Sequence, residues 1–142
     1  MPPRNTWHVP AGTTDAMVDA ERDKRIAAGF LYLGIKFQAR EIDRQNITGK
    51  ALAAQVAISN GAQPNDLYWN SSDMEFAWIA ANNELVPMDA QSVVAFAQAA
   101  DLWVTAHYMA ARTVKDQMAL GQALEAPYTD DIYWPTRADA EN

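Results

Sequence analysis

The chain has 142 residues, of which 49% are apolar and 20% charged, and its formal net charge is −7. This length fits one domain, and the balance of apolar and charged residues excludes a chain that is disordered throughout. Because the chain contains no cysteine, disulfides, thiolate nucleophiles and cysteine-ligated metal centres are excluded. No apolar run approaches the ~20 residues that cross a bilayer, and no signal core is visible, so a cytosolic protein is expected.

The charges are unevenly distributed along the chain. Residues 1–60 carry eight of the eleven basic side chains, whereas residues 61–88 carry four acidic side chains and no basic one. Binding to a phosphate backbone needs clustered lysine and arginine, which an acidic chain of this kind does not offer. We therefore expect no nucleic-acid partner.

The N-terminal part of the sequence predicts an irregular arm followed by a helix. Three prolines and a glycine interrupt any regular pattern over residues 1–13. Thr13 or Thr14 is a suitable N-cap for the helix that follows, and Gly29 is well placed to end it.

The next segment predicts a turn-containing strand region and a second helix. Aromatic and branched residues over 30–38 are typical of strands, and Gly34 near the middle indicates a tight hairpin turn or a bulge. Helical spacing returns over residues 40–60, where Gly49 costs about 1 kcal/mol relative to alanine and indicates a close packing contact. The residues expected to share one buried face of this helix are Ile42, Ile47, Leu52, Ala53 and Val56.

The second half of the chain predicts a hairpin and a long helix. Residues 67–69 and 76–80 have the composition of two short strands joined by a polar turn. Asp89 is a suitable N-cap for a helix whose apolar residues follow helical spacing for some thirty residues, until Gly121.

Together these elements predict an α+β fold in which three helices, the last about 30 residues long, pack on a small antiparallel β-sheet. The expected organisation is an irregular arm at residues 1–13, a single α+β domain at residues 14–120 and an acidic aromatic tail at residues 121–142.

The search for catalytic residues finds no recognisable constellation. Of the two histidines, His107 lies in the apolar stripe of the last helix, where a hydrogen-bonded core histidine is expected. The acidic pairs Asp73/Glu75 and Asp130/Asp131 lack the spacing of a calcium loop and are expected to be solvated turn residues. We expect no enzyme activity, no cofactor and no metal site.

The aromatic residues carry more information, because exposed tryptophan and tyrosine commonly anchor protein interfaces. Trp78 and Trp103 are well suited to filling the core, whereas Trp69 lies in polar surroundings. Tyr133 and Trp134 follow the end of the last helix, so they dock either within the chain or onto a partner.

Several sequence blocks, taken in their order and spacing, resemble an uncharacterised domain family that is common in tailed bacteriophages and prophages, at or near tail-fibre genes. The resemblance covers about residues 19–120. The blocks are residues 22–30, 34–38, 43–47, 76–80 and 86–91, followed by the long helix to about Met118.

A second resemblance points to a function. The second half of the chain is similar to the C-terminal part of phage tail-fibre assembly chaperones. The similar segments are residues 86–91 with the long helix that follows them, and the later segment Asp131-Ile132-Tyr133-Trp134-Pro135. The N-terminal half does not align with those proteins. They bind the C-terminal tip of the fibre and assist its trimerisation, so the resemblance implies a tail-fibre or other tail protein as the partner.

We therefore expect a non-enzymatic assembly chaperone or accessory factor that binds the tail fibre in the host cytoplasm. The residues expected on its fibre-facing surface are Trp69, Trp78, Tyr133 and Trp134. Two alternatives stay open: a structural component retained in the virion tail, and a small acidic phage inhibitor of a host protein. A homo-oligomer would follow if the apolar stripe of the last helix were wider than the sheet can cover.

Overall fold

A computed structural model describes residues 12–136, so the predicted arm falls almost entirely outside the described residues. Within that range the fold is α+β with three α-helices, as the sequence predicted, and its strands form two separate antiparallel two-stranded sheets where one small sheet was expected. The elements are α1 (Asp15–Ala27), β1 (Phe30–Tyr32), β2 (Ile35–Phe37), α2 (Glu41–Ser59), β3 (Ala77–Ile79), β4 (Leu85–Pro87), α3 (Ala90–Ala119) and a 3-10 turn (Asp131–Tyr133).

The first helix and hairpin form as their local signals predicted. Thr14 is the N-cap of α1, and its side chain accepts a hydrogen bond from a backbone N–H of the first turn. β1 and β2 pair with Phe30 opposite Phe37. Leu33 and Gly34 both have positive φ, at 51° and 77°, which is the backbone of a tight two-residue hairpin turn and not of a bulge.

The second sheet differs from the prediction. Residues 67–69 form turns instead of a strand, and β3 pairs with β4 across a short loop. The Asp66 carboxylate accepts a hydrogen bond from the Tyr68 N–H at 2.9 Å, so a local turn takes the donor that a strand would have used. One backbone hydrogen bond, from Phe76 N–H to Leu67 O at 2.7 Å, is made between the two segments that were predicted to pair.

The main core surrounds the N-terminal half of α3. Phe96 is fully buried there, and α2 and both hairpins pack around it. The rings with centroids 4.8–5.5 Å from that of Phe96 belong to Phe30, Tyr32, Phe37 and Trp78.

A second apolar cluster lies along the C-terminal half of α3. Val18 of α1 and two residues of α3, Ala111 and Val114, meet Leu124 and Trp134 from the segment that follows α3. The described part of the predicted tail is therefore packed on the helices. Across residues 12–136, none of the helices combines the length and the apolar character needed to span a membrane.

Candidate protein-binding groove

Helix α2 buries one apolar face and exposes another. Ile47 and Ala54 are buried in the main core, whereas Ile42, Leu52 and Val56 are 55%, 64% and 55% exposed. The prediction that these residues and Ala53 share one buried face holds for Ile47 and is wrong for the exposed three and for Ala53, which is exposed as well. At about 100° per residue, positions 47 and 52 lie about 140° apart around a helix, which is too far for both to face α3.

The exposed face of α2 forms one wall of a groove of about 530 Å³. Gly49, Leu52 and Val56 line it at a spacing of three and four residues, so they stand above one another on the helix. Trp69 and Asn70, from the loop before β3, line the opposite wall. Of these residues, Trp69 was predicted from the sequence to face a partner, whereas Leu52 and Val56 were predicted to be buried. Their spacing of four residues differs from the spacing that connects the buried residues Ile47 and Ala54, and it could have indicated a second apolar face.

Gly49 leaves an open gap in the α2 wall of this groove. A Cβ built at this helical position would have no atom within 4 Å outside its immediate neighbours, so the fold does not require glycine here. The close packing contact predicted from Gly49 is therefore not made within the described chain. A glycine that costs helix stability and leaves space on an apolar face allows another backbone to approach closely.

The loop wall is held firmly against the core by Trp69. The Trp69 Nε1–H donates to the Met88 carbonyl at 2.9 Å, and the Trp69 ring meets Phe76 edge-on at 5.0 Å. Phe76 in turn contacts Trp78 at 5.9 Å, so an aromatic row runs from the groove into the core. Trp69 is half-buried, with one side in this row and another facing the groove.

Two polar contacts fix the same loop to the helices on either side. Lys50 of α2 donates to the Asn70 side-chain oxygen at 3.2 Å. The Asp89 carboxylate, at the N-terminus of α3, accepts from the backbone N–H groups of Ser92 and Asn65, both at 2.7 Å. Burial raises the pKa of Asp89, but the hydrogen bonds from Ser92 and Asn65 outweigh it and hold that pKa below its ordinary value.

The residues that line the groove are uncharged, although the chain as a whole has a net charge of −7. The groove therefore offers a partner apolar contact from Leu52, Val56 and Trp69, together with amide hydrogen bonds from Asn60 and Asn70. Such a lining suits apolar side chains and backbone groups of a polypeptide. Within the described range, histidine and acidic residues form no group of three or more that could hold a metal ion.

The other residues predicted to face a partner lie away from the groove. Trp78 stands behind it, half-buried against the main core. The Tyr133 hydroxyl donates to the Ala126 carbonyl and the Trp134 Nε1–H donates to the Tyr128 carbonyl, both at 2.8 Å. Tyr133 and Trp134 were expected to dock either within the chain or onto a partner. In the structure they dock within the chain, and Trp134 is only 4% exposed.

Comparison with known proteins places the chain in a family. Residues 13–133 match the sequence profile of the domain of unknown function DUF4376, so the protein belongs to that family. No curated protein and no solved structure matches the chain. The matched range begins just before α1 and ends in the 3-10 turn, so it includes both the groove and the packed segment that carries Tyr133.

Proposed function

We propose that this protein is a non-enzymatic assembly factor that binds a phage tail-fibre polypeptide in the groove between α2 and the Trp69 loop. The observation that carries the proposal is an exposed apolar helix face with an open gap at Gly49, placed beside a firmly held tryptophan. The sequence resemblance to tail-fibre assembly chaperones supports the choice of partner.

The chemistry of an unassembled fibre suits such a groove. Before it trimerises, a fibre subunit exposes apolar surface and unpaired strand edges, which aggregate unless they are covered. Leu52, Val56 and Trp69 would cover apolar side chains, while the amides of Asn60 and Asn70 would pair with exposed backbone groups. Because Trp69 is already fixed by its bond to Met88, little side-chain entropy is lost when a partner binds.

The proposed place of action is the host cytoplasm during assembly, with release before the virion is complete. The net charge of −7 would help to keep a complex with an apolar fibre segment soluble. A structural role in the virion tail would use the same groove, so the two roles are separated by whether the chain is found in purified virions.

The first test compares Leu52→Glu with Met109→Glu. These residues are 64% and 63% exposed and both lie on helices, but Met109 is not among the residues that line the groove. A charge placed in the groove should weaken binding to the fibre protein of the same phage by about tenfold or more, because the glutamate would be desolvated without a partner. Met109→Glu should bind like the parent chain, as measured by calorimetry with the purified fibre protein.

Three outcomes would count against the proposal in different ways. Equal binding by the two variants would exclude the groove as the binding site, provided that both keep the parent's circular dichroism and melting temperature. A parent chain that does not bind the fibre protein would exclude the partner. Stoichiometric recovery of the chain from purified virions would replace the assembly factor with a structural tail component.

A further inference from the structure

His107 lies at the junction of the two apolar clusters, with no exposed surface. Its ring centroid is 4.3 Å from that of Trp103, in the main core, and 6.3 Å from that of Trp134, in the second cluster. The Trp134 ring is stacked over the imidazole, so the segment after α3 covers this histidine.

Only one ring nitrogen of His107 has a hydrogen-bond partner among the described residues. Nδ1 is 2.7 Å from the Trp103 carbonyl oxygen, so Nδ1 carries the proton and donates it. Nε2 is buried and has no hydrogen-bond partner among the described residues. A second proton on Nε2 would therefore meet no acceptor within residues 12–136.

The charged groups around the ring come from α1 and from the segment after α3. Arg25 of α1 and Asp131 line a cavity of about 240 Å³ with His107. The Arg25 guanidinium donates to Glu21, to the Thr129 carbonyl and to Asp131, at 2.7–2.9 Å. From α3 itself, the group that touches the imidazole is the uncharged Trp103 ring.

These surroundings oppose a positive charge on the imidazole. Burial lowers the pKa of His107, the bond to the Trp103 carbonyl raises it, and the charge of Arg25 lowers it further, so that it lies below its ordinary value. The negative charge of Asp131 does little to stabilise a charged imidazole, because its side chain is 90% exposed and already paired with Arg25.

We propose that residues 124–136 form a strap that is closed over His107 at neutral pH and opens when the imidazole is protonated. Opening would lift Trp134 from the ring, break the contacts of Arg25 with Thr129 and Asp131, and let water reach Nε2. It would also uncover the apolar side chains of Val18, Ala111 and Val114 and release Tyr133 and Trp134. The strap is thus a pH-dependent cover of a second apolar surface, and the proposal is independent of what binds in the groove.

The direction of the pH dependence follows from proton linkage. In the open strap His107 would return to its ordinary pKa of 6.5, whereas in the closed strap that pKa is lower. The closed form therefore binds fewer protons. The equilibrium constant for closing the strap has its full value above pH 6.5. Below that pH it falls by up to about tenfold per pH unit, until the pH reaches the pKa of His107 in the closed form.

The test is hydrogen exchange of the full chain, followed by mass spectrometry, at about pH 7.5 and about pH 5.5. After correction for the intrinsic pH dependence of exchange, the amides of residues 124–136 should lose up to about tenfold in protection at the lower pH, relative to those of α2. His107→Phe should abolish this loss. No loss in the parent chain, or an equal loss in the variant, would overturn the proposal.

A second measurement keeps the test valid if His107→Phe does not fold. The imidazole resonances of the parent chain can be followed by NMR during a pH titration, with His8→Ala to assign the other histidine. The proposal requires His107 to titrate below pH 6.5 and to carry its neutral proton on Nδ1. Titration at or above the ordinary pKa would exclude it. The Leu52→Glu variant should keep the pH response, which separates failure of the strap from failure of the groove.

Discussion

Gly29 and Gly49 occupy opposite situations in the fold. Gly29 ends α1 with φ +102°, and a Cβ there would lie 2.6 Å from the backbone oxygen of Phe37. Strand β2 can pass so close to the end of α1 only because this residue has no side chain. Gly49 lies inside α2 with open space around its missing Cβ.

Alanine should therefore have opposite effects at the two glycines. Gly29→Ala should lower the free energy of unfolding by more than about 1 kcal/mol, from the left-handed backbone and the contact with Phe37. Gly49→Ala should raise it by about 0.5–1 kcal/mol, because alanine is the better helix former and meets nothing. Urea unfolding of the two variants measures both effects. Destabilisation by Gly49→Ala would mean that the outer face of α2 is packed against something in solution.

Individual capping residues are the part of the structure that the sequence specifies best. Asp89 was predicted as an N-cap, and Thr14 was one of two candidates together with Thr13. Asp89 and Thr14 both accept backbone hydrogen bonds at the start of their helices. These signals are local, since a cap needs only its own side chain and the first turn. Trp69 is different: its polar neighbours suggested exposure, but its place in the groove depends on Met88 and Phe76, which no local pattern connects to it.

At the scale of elements, the extent of a helix was predictable from its sequence and the face it buries was not. Residues 40–60 were predicted as helix and α2 covers 41–59. Apolar residues lie on both sides of α2, so periodicity did not decide whether Leu52 or Ala54 faces α3. The partner of β3 was predicted to be residues 67–69, but β3 pairs with β4. Residues 67–69 have the composition of a strand, yet the hydrogen bond from the Tyr68 N–H to Asp66 holds them in a turn.

The junction between the Trp69 loop and α3 should give the fold a measurable acid sensitivity through Asp89. A lowered pKa means that the ionised carboxylate stabilises the folded state above the ordinary value of 3.8, and that this contribution is lost as the pH falls through the lowered pKa. Asp89→Asn keeps one acceptor oxygen and loses the charge together with the second acceptor. It should be less stable than the parent by about 1–2 kcal/mol at pH 7, and the difference should become smaller towards about pH 2, where the parent carboxylate also loses its charge. The melting temperatures of both proteins, measured across this pH range, test the prediction. A difference in melting temperature that does not change with pH would contradict the role of the Asp89 charge.

At the scale of the whole molecule, α3 connects two apolar clusters. Its 30 residues extend about 45 Å, with the hairpins and α2 at its N-terminal half and the strap and the start of α1 at its C-terminal half. The length of this helix was predictable from its sustained periodicity. The second cluster was not, because it requires Trp134 to return to Val18 across most of the chain.

The second cluster should depend on Trp134 much more than on its exposed neighbour. Trp134→Ala should lower the free energy of unfolding by about 3–5 kcal/mol, with hydrogen exchange accelerated mainly in the C-terminal half of α3. Ile132→Ala is the control, since Ile132 lies in the same turn but is 60% exposed. It should change stability by less than about 0.5 kcal/mol. Equal effects would mean that the strap does not pack on α3 in solution.

The contact between Arg25 and Asp131 has a consequence for the order in which the chain becomes structured during synthesis. These residues are separated by 106 positions, and translation adds about 5–20 residues per second. The ribosome therefore needs roughly 5–20 s after it has made Arg25 to supply its partner. During this interval α1 has its hairpin beside it, but the apolar side chain of Val18 has no cover. The end of the molecule that closes last is thus built from its first helix and its last described residues, and it can form only after the strap has been translated.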